Sequence, residues 1–381
     1  MAFFSFVLLK EPLTYLSKQI KPNQNYFSKD ITLWKELNNR NKKNQFCLLK
    51  YENRSKITVI GKKLLICLPP KFGLGDAVEY GIAVYSLIKS QKFNKVGIAF
   101  CSNHNFIFEK LFKFKNIYPF IISEEEIKKY DTIIHITLEV ESLKFQKYQR
   151  SNIALEVCKY FSVPLLKFKN FNYKKTTNLI TIFPVSTSAI RSMPFKIIRQ
   201  LAESFKHEYQ IRVIIDNSFF SKHLEEQNLN NEILFIKPKD IQSLIAEISN
   251  INFGIFVDSG PLHLANIFDK KGLLVETSVS NEILLSNTNK IIVAKNKYNS
   301  SYCQGPCGLV DIFSYKTNIG CYETSRISFK NIQSLGSLKN LQRWNKNDHK
   351  SDFIMNPVGC IKNIDIKNII ELIKINIKEH K

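Results

Sequence analysis

Phe253-Gly-Ile-Phe-Val-Asp-Ser-Gly-Pro-Leu-His-Leu-Ala265 is the stretch on which the reading of this chain turns. A short apolar run of strand character ends at Asp258, a Gly-Pro break follows at Gly260 and Pro261, and helical periodicity begins at once. Proline suits the first helical position, where its missing N–H is not needed and its φ is already helical. The backbone N–H groups and positive dipole end at that helix start form an anion site suited to a pyrophosphate. His263 falls in the first turn, directed at the same place. A plainer explanation stands beside this one, in which Asp258 and Ser259 only cap the helix and His263 is structural.

Outward from this stretch the chain repeats a strand, loop, helix rhythm. Toward the C-terminal side of the chain, strands are expected at Leu179 to Phe183, Arg212 to Ile215, Ile233 to Ile236, Phe253 to Val257 and Gly272 to Val275. Helices are expected near Phe195 to Phe205, Ile241 to Ile248 and Pro261 to Phe268. Upstream the same alternation gives strands at Leu64 to Leu68, Lys95 to Phe100 and Thr132 to Ile136, with a helix over Ala77 to Lys89. The polar segment Lys167 to Thr177 reads as a linker between the two series. Two alternating series imply an α/β protein with two doubly wound, Rossmann-like domains whose ligands bind at the carboxyl ends of the strands, in a cleft between the sheets. The expected division is an N-terminal extension over 1–60, a first domain over 61–170, a second over 171–350 and a helical tail over 351–381. Within the extension, residues 35–43 read as a solvated helix end or loop.

The length of 381 residues suits two such domains, and 44% hydrophobic with 23% charged residues provides for a sizeable core. The 55 Lys and Arg against 33 Asp and Glu give +22, a balance that favours acidic partners such as a phosphorylated glycolipid or an anionic membrane face. The charge is spread along the chain, without the compact basic block of a nucleic-acid reader, so nucleic acid is not among the expected partners. No segment reaches the roughly 20 uninterrupted apolar residues of a membrane span. The apolar start Met1 to Leu9 is short and runs into Lys10, Glu11 and Pro12 rather than a cleavage site, so a cytoplasmic protein is expected.

Two further segments carry chemistry. Leu64-Leu-Ile-Cys-Leu-Pro-Pro-Lys-Phe-Gly-Leu-Gly-Asp76 leads from a strand into a helix. Gly73 and Gly75 let the backbone turn sharply or approach a substrate, and the Asp76 carboxylate stands where it can take a proton from an attacking hydroxyl. Asp76 and Glu79 also have the spacing of a capping box with Asp76 as N-cap. Leu179-Ile-Thr-Ile-Phe-Pro-Val-Ser-Thr-Ser-Ala-Ile-Arg-Ser-Met-Pro194 ends in a hydroxyl-rich loop. There Ser186, Thr187 and Ser188 offer donors to phosphate oxygens and Arg191 a forked cation, although such loops are more often solvated turns.

Taken together, Gly75-Asp76, Ser186-Thr187 with Arg191-Ser-Met-Pro194, and Asp258-Ser-Gly-Pro-Leu-His-Leu-Ala265 resemble glycosyltransferase family 9, the ADP-heptose:lipopolysaccharide heptosyltransferases. The order and separations agree over about residues 62–290. The resemblance implies the GT-B architecture and an inverting, metal-independent transfer of a sugar, such as a heptose, from a nucleotide-diphosphate donor to a cell-surface glycan or lipopolysaccharide acceptor, with no cofactor. It implies Asp76 as general base, Gly73 and Gly75 on the acceptor side, and Ser186, Thr187, Arg191, Asp258, Ser259, Gly260, Pro261 and His263 at the donor. The sequence departs from the family at Arg191, where Lys is usual, and at Met193, where Trp is usual. A nucleotide-sugar epimerase or hydrolase of the same fold, and a non-catalytic sugar-nucleotide-binding protein, are the alternatives.

Cys303-Gln-Gly-Pro-Cys307, Cys321 and Cys360 supply four thiols of the kind that bind a structural metal or form a reversible disulfide, with unlinked thiols as the alternative. Ile364 to Ile377 is helical in pattern and rich in Lys, and is expected to pack on the N-terminal domain or lie against anionic lipid at the inner face of a membrane.

Overall fold

In the computed structural model of the chain, the residues described are 4–8, 12–41, 46–49, 61–69, 72–136, 152–168, 178–228, 233–286, 290–308, 321, 323 and 353–378. The chain divides into two units, Met1–Leu166 and Lys167–Lys381. Most of the expected linker, residues 169–177, lies outside the described residues, as do Pro70 and Lys71 of the first loop.

The first unit is built on strands β1 (Phe4–Leu8), β2 (Leu13–Tyr15), β3 (Lys18–Ile20), β4 (Asn25–Ser28), β5 (Phe46–Leu49), β6 (Lys63–Cys67), β7 (Lys95–Phe100), β8 (Ile117–Pro119), β9 (Ile121–Ser123) and β10 (Thr132–His135). Three long helices accompany them: α1 (Ile31–Asn41), α2 (Leu74–Lys89) and α3 (Ile153–Tyr160). Strands β10-β6-β7-β8 form a parallel sheet. The chain therefore winds outward from β6 through β7 to β8, then returns to β6's other side with β10. The loop after β6, which leads to Asp76, stands where that order reverses, the usual ligand position in such a sheet. Helix α2 is buried around most of its surface. Gly81 brings it close to the ring of Phe112, because a Cβ there would fall 2.1 Å from Phe112 Cε2.

The segment read as an N-terminal extension is a folded layer of this unit. Strands β5-β1-β4-β9 form an antiparallel sheet in which β9 comes from the chain between β8 and β10 of the parallel core. Phe6, Leu8, Leu13, Ile20, Tyr26, Leu33, Leu37 and Ile121 bury its hydrophobic face. Residues 35–41, read as a helix end or loop, continue helix α1, whose Leu33 and Leu37 are the reason it forms: four apart, they share one buried face.

The second unit has six parallel strands: β11 (Leu179–Phe183), β12 (Gln210–Ile214), β13 (Phe235–Ile236), β14 (Phe253–Phe256), β15 (Gly272–Val275) and β16 (Ile291–Ala294). Their order is β13-β12-β11-β14-β15-β16, which is the Rossmann order 3-2-1-4-5-6. Helices α4 (Phe195–Phe205), α5 (Phe219–Gln227), α6 (Ile241–Ser249), α7 (Gly260–Ile267) and α8 (Ile366–Lys378) complete it. Every residue of β11, β14 and β15 is buried, as the continuous apolar runs of a sheet covered on both faces require. Gly254 pairs with Gly272 in register, and the Phe256 ring fills the space that side chains would have taken. Phe256 also stacks on Phe183 at 5.0 Å and 12°, a rigid aromatic floor under the loops that leave β11 and β14.

Helix α8 corrects the expectation for the tail. It packs on α4, β15 and β16 within the second unit, with Ile369 and Ile373 buried. Those two residues, four apart, bury the apolar face that the sequence pattern left open to lipid.

Candidate functional site

At the switch point of the second sheet two loops meet, one leaving β11 and one leaving β14. The β11 loop is braced internally. Met193 N–H donates to Pro184 O at 2.8 Å, Ser186 N–H to the Ser192 hydroxyl at 2.9 Å, and that hydroxyl to Ser188 O at 2.9 Å. Fully buried Ser192 thus does for the loop what a longer turn motif does elsewhere. Ser186 Oγ is buried and has no hydrogen-bond partner among the described residues.

Arg191 joins the loops. Its Nη1 donates to Asp258 Oδ2 at 2.9 Å and its Nη2 to Thr187 Oγ1 at 2.7 Å. The side chains are 15% and 7% exposed for Arg191 and Asp258, so the pair is largely withdrawn from water. The structure therefore brings Thr187, Arg191 and Asp258 together, and places Ser186 on the same loop.

Beyond Asp258, helix α7 starts at Gly260, one residue before the expected start, so Pro261 takes the second helical position. The capping explanation fails for Ser259. It occupies the N-cap position, but its hydroxyl donates back to Val257 O at 3.2 Å and makes no cap hydrogen bond. Asp258 is committed to Arg191. The start of α7 is thus left without a side-chain acceptor from these residues, which suits an anionic ligand. His263 is buried, 6% exposed, in this helix.

In the first unit the helix after β6 begins earlier than the spacing indicated. Its N-cap is Gly73 and its first residue is Leu74, so Asp76 is the third helical residue rather than the cap. Asp76 Oδ2 accepts from Gly73 N–H at 2.8 Å. The sharp turn expected of the glycines is not made. Gly73 has φ −80° and ψ 175°, open to any residue, and Gly75 lies inside the first helical turn. No sharp turn is made there, because the apolar run of α2 extends the helix back over Leu74.

Several residues around these loops carry no spacing signature in the sequence. His104, in the loop after β7, approaches Phe72 O with its Nε2 at 3.2 Å. Burial lowers its pKa, offset in part by that carbonyl and by the charge of Asp76. Lys29, 2% exposed at the end of β4, reaches Leu68 O with its Nζ at 3.3 Å, and burial lowers its pKa as well. In the second unit Glu276, after β15, accepts from Asn281 N–H and Asn296 N–H, both at 2.9 Å. A polar residue directly after a parallel strand is the signal that finds Glu276.

The thiols gather in the second unit. Cys303 is held far above the usual thiol range, first by its hydrogen bond with Cys307, then by burial and by the nearness of Cys307, Cys360 and Cys321. Cys360 is raised by burial and by Cys307 and Cys321, and it meets the Asn296 side chain. Asn296 Nδ2 in turn donates to Thr277 O at 2.5 Å, and Gly308 N–H to Ser278 O at 2.6 Å, so the thiol loop is fastened to the end of β15. Four neighbouring thiols fit a soft divalent cation, whose charge would remove the mutual repulsion of their thiolates. Among the described residues, however, no three potential ligands are drawn close enough to form a finished metal centre.

No family model matches the chain, and no curated protein matches it in sequence. Among solved structures it is similar to a glycosyltransferase family 9 protein from Veillonella parvula, with 12% identity, a TM-score of 0.50 and coverage of 84% of this chain and 98% of that one. It is also similar to the dodecameric iron-containing heptosyltransferase TibC in complex with ADP-D-β-D-heptose, a protein from enterotoxigenic E. coli. There the identity is 10%, the TM-score 0.51, and the coverage 99% of this chain and 92% of that one. These likenesses show a shared fold, that of the GT-B glycosyltransferases.

Proposed function

We propose that this chain transfers a sugar from a nucleoside-diphosphate donor to a hydroxyl of a glycan or glycolipid acceptor, with inversion and without a metal in the chemical step. The observation that carries the reading is the Arg191 guanidinium fixed between Thr187 and Asp258 at the switch point of the Rossmann-ordered sheet. Beside it the start of α7 is free of a side-chain cap from Ser259. A leaving diphosphate needs fixed positive potential in a dry place, and Arg191 with the helix dipole supplies it. Ser186, Thr187, Gly260, Pro261 and His263 complete the donor side. Asp76 takes the proton from the attacking hydroxyl, and the diphosphate leaves with the electron pair of its bond to the anomeric carbon. TibC is described with ADP-D-β-D-heptose, so an ADP-heptose heads the list of donors to test.

The test is thermal stabilisation across nucleoside diphosphates and nucleotide-sugars, followed by turnover with glycan acceptors. Selective stabilisation and acceptor-dependent release of the diphosphate, insensitive to EDTA, are expected. Asp76→Asn is expected to keep donor binding while losing about 10²- to 10⁴-fold in kcat. Release without an acceptor would instead mark a hydrolase or epimerase, and stabilisation without turnover a binding protein. No stabilisation by any nucleotide sinks the donor-site reading.

The +22 charge supports a peripheral approach to an acidic acceptor at the inner face of a membrane. No helix among the described residues is long and apolar enough to cross one. If a structural metal staples this loop to the second sheet, Cys303, Cys307, Cys321 and Cys360 are the thiols that would hold it, although the described residues do not present them as a finished site. The fold neighbour TibC is described as iron-containing, and a tetrathiolate set suits iron as well as zinc. Elemental analysis of the purified protein decides between them, and a metal content near zero rules out the staple.

A further inference from the structure

We propose that His104 is a positioning residue for Asp76, acting through the single peptide group that joins Phe72 to Gly73. The proposal rests on the reading of Asp76 as the proton acceptor, and its test includes a measurement that does not need turnover. The carbonyl of that peptide meets His104 Nε2 at 3.2 Å, and its N–H donates to Asp76 Oδ2 at 2.8 Å. A carbonyl only accepts, so Nε2 carries the proton and the neutral ring is in its Nε2–H form. The hydrogen bonds then run in one direction, from ring to carbonyl and from amide to carboxylate. Each polarises the next, because a peptide whose oxygen accepts a hydrogen bond is a better donor at its nitrogen.

The ring is held for this task. It lies 5.5 Å from the Phe72 ring, which sits edge-on to Tyr80 of α2 at 5.6 Å and near Phe108 at 6.4 Å. Two bonds and an aromatic cluster thus fix one peptide plane, and that plane fixes one oxygen of Asp76. The other oxygen, Oδ1, makes no hydrogen bond among the described residues and is left to receive a proton. The charged group acting on His104 is Asp76 from α2, which raises its pKa against the lowering by burial. Glu109 and Lys110, on the turn that follows His104, pair with each other at the surface.

Two measurements on the full chain test the proposal. In the first, histidine carbon resonances are followed against pH in the wild type and in Asp76→Asn. His104 is expected to titrate below the ordinary range of 6.5, and lower still in the Asn variant, which lacks the charge that raises it. An unchanged midpoint overturns the coupling whether or not the protein proves to be a transferase. In the second, His104→Leu is expected to lose roughly 10- to 100-fold in kcat with the donor KM unchanged. His104→Gln keeps an N–H donor of similar reach and is expected to recover most of that loss. Equal kcat in the Leu variant and the wild type, or equal losses in Leu and Gln, overturns the positioning role. Absence of turnover in the wild type refutes the reading of Asp76 and leaves the first measurement to decide the coupling.

Discussion

Arg191→Met removes the cation that joins the loops leaving β11 and β14 while keeping most of the side chain's apolar volume. Asp258 then remains as a carboxylate only 7% exposed, having lost a partner at 2.9 Å. Removing one member of a buried pair costs about 3 to 5 kcal/mol, chiefly because the other charge stays buried and uncompensated. Arg191 is 15% exposed, so some water already reaches the pair, and the lower end, about 3 kcal/mol, applies. The bond to Thr187 adds about 1 kcal/mol. A loss of roughly 3 to 4 kcal/mol in a unit of this size lowers Tm by about 6 to 16 °C. Calorimetry of Arg191→Met, Asp258→Asn and the double variant measures it. The double variant should be more stable than the sum of the single losses indicates, by about 1 to 3 kcal/mol, since the unpaired charge is gone. A loss below about 1 kcal/mol in Arg191→Met, or strict additivity in the double variant, refutes the claim that the pair is desolvated. On the proposed donor-site reading the same variant should also lose stabilisation by nucleoside diphosphates, because the guanidinium would contact phosphate as well as brace the loops.

Gly81→Ala in α2 gains helix propensity but puts a Cβ 2.1 Å from Phe112 Cε2, so the ring must move; a net loss of about 1 to 2 kcal/mol is expected in urea unfolding, and a second change of Phe112 to Val should relieve it. Lys29→Met tests the buried ammonium through pH. The folded-state pKa of Lys29 lies below the ordinary 10.5, so between the two values the unfolded chain binds more protons and wild-type stability rises with pH. The stability of Lys29→Met relative to wild type should therefore be highest near neutrality and fall as pH approaches about 10.5; a difference independent of pH means that Lys29 is not desolvated in the folded protein.

Strand β11, strand β15 and helix α4 begin and end at the residues that the sequence indicates, since their apolar runs are bounded by polar or turn residues on both sides. The N-terminal layer is different. Its strands are three to five residues long, and β4 reads Asn-Tyr-Phe-Ser, so local composition resembles loop. Its hairpin turns at Leu16 and Ser17 with φ of 47° and 66°, a conformation that the sequence marks with neither Gly nor Asn. The sheet is completed at its edge by β9, nearly a hundred residues away, and pattern reading has no access to such pairing. The site shows the same limit. Asp76, Arg191 and Asp258 stand out because each follows a strand at a break, yet the ion pair across 67 residues and the His104 contact across 32 depend on strand order.

The helical position of Asp76 makes its capping bond compatible with the catalytic role proposed for it. An N-cap carboxylate turns its oxygens onto the amides of the helix it starts. At the third helical position the geometry is reversed: Oδ2 reaches back to the amide of Gly73, outside the helix, and the carboxylate lies along the loop that leaves β6. A carboxylate has two oxygens, and one bond to a fixed amide orients both while leaving the second to accept a proton. In the proposed mechanism that bond to Gly73 aims the base. For the same reason Gly73 contributes its N–H rather than its lack of a side chain, since a Cβ there would meet Asp76 Oδ2 at an ordinary 3.5 Å. What the loop cannot exchange is the peptide plane between Phe72 and Gly73. That plane is set from the β7 side by His104, a residue that the β6 loop sequence does not contain.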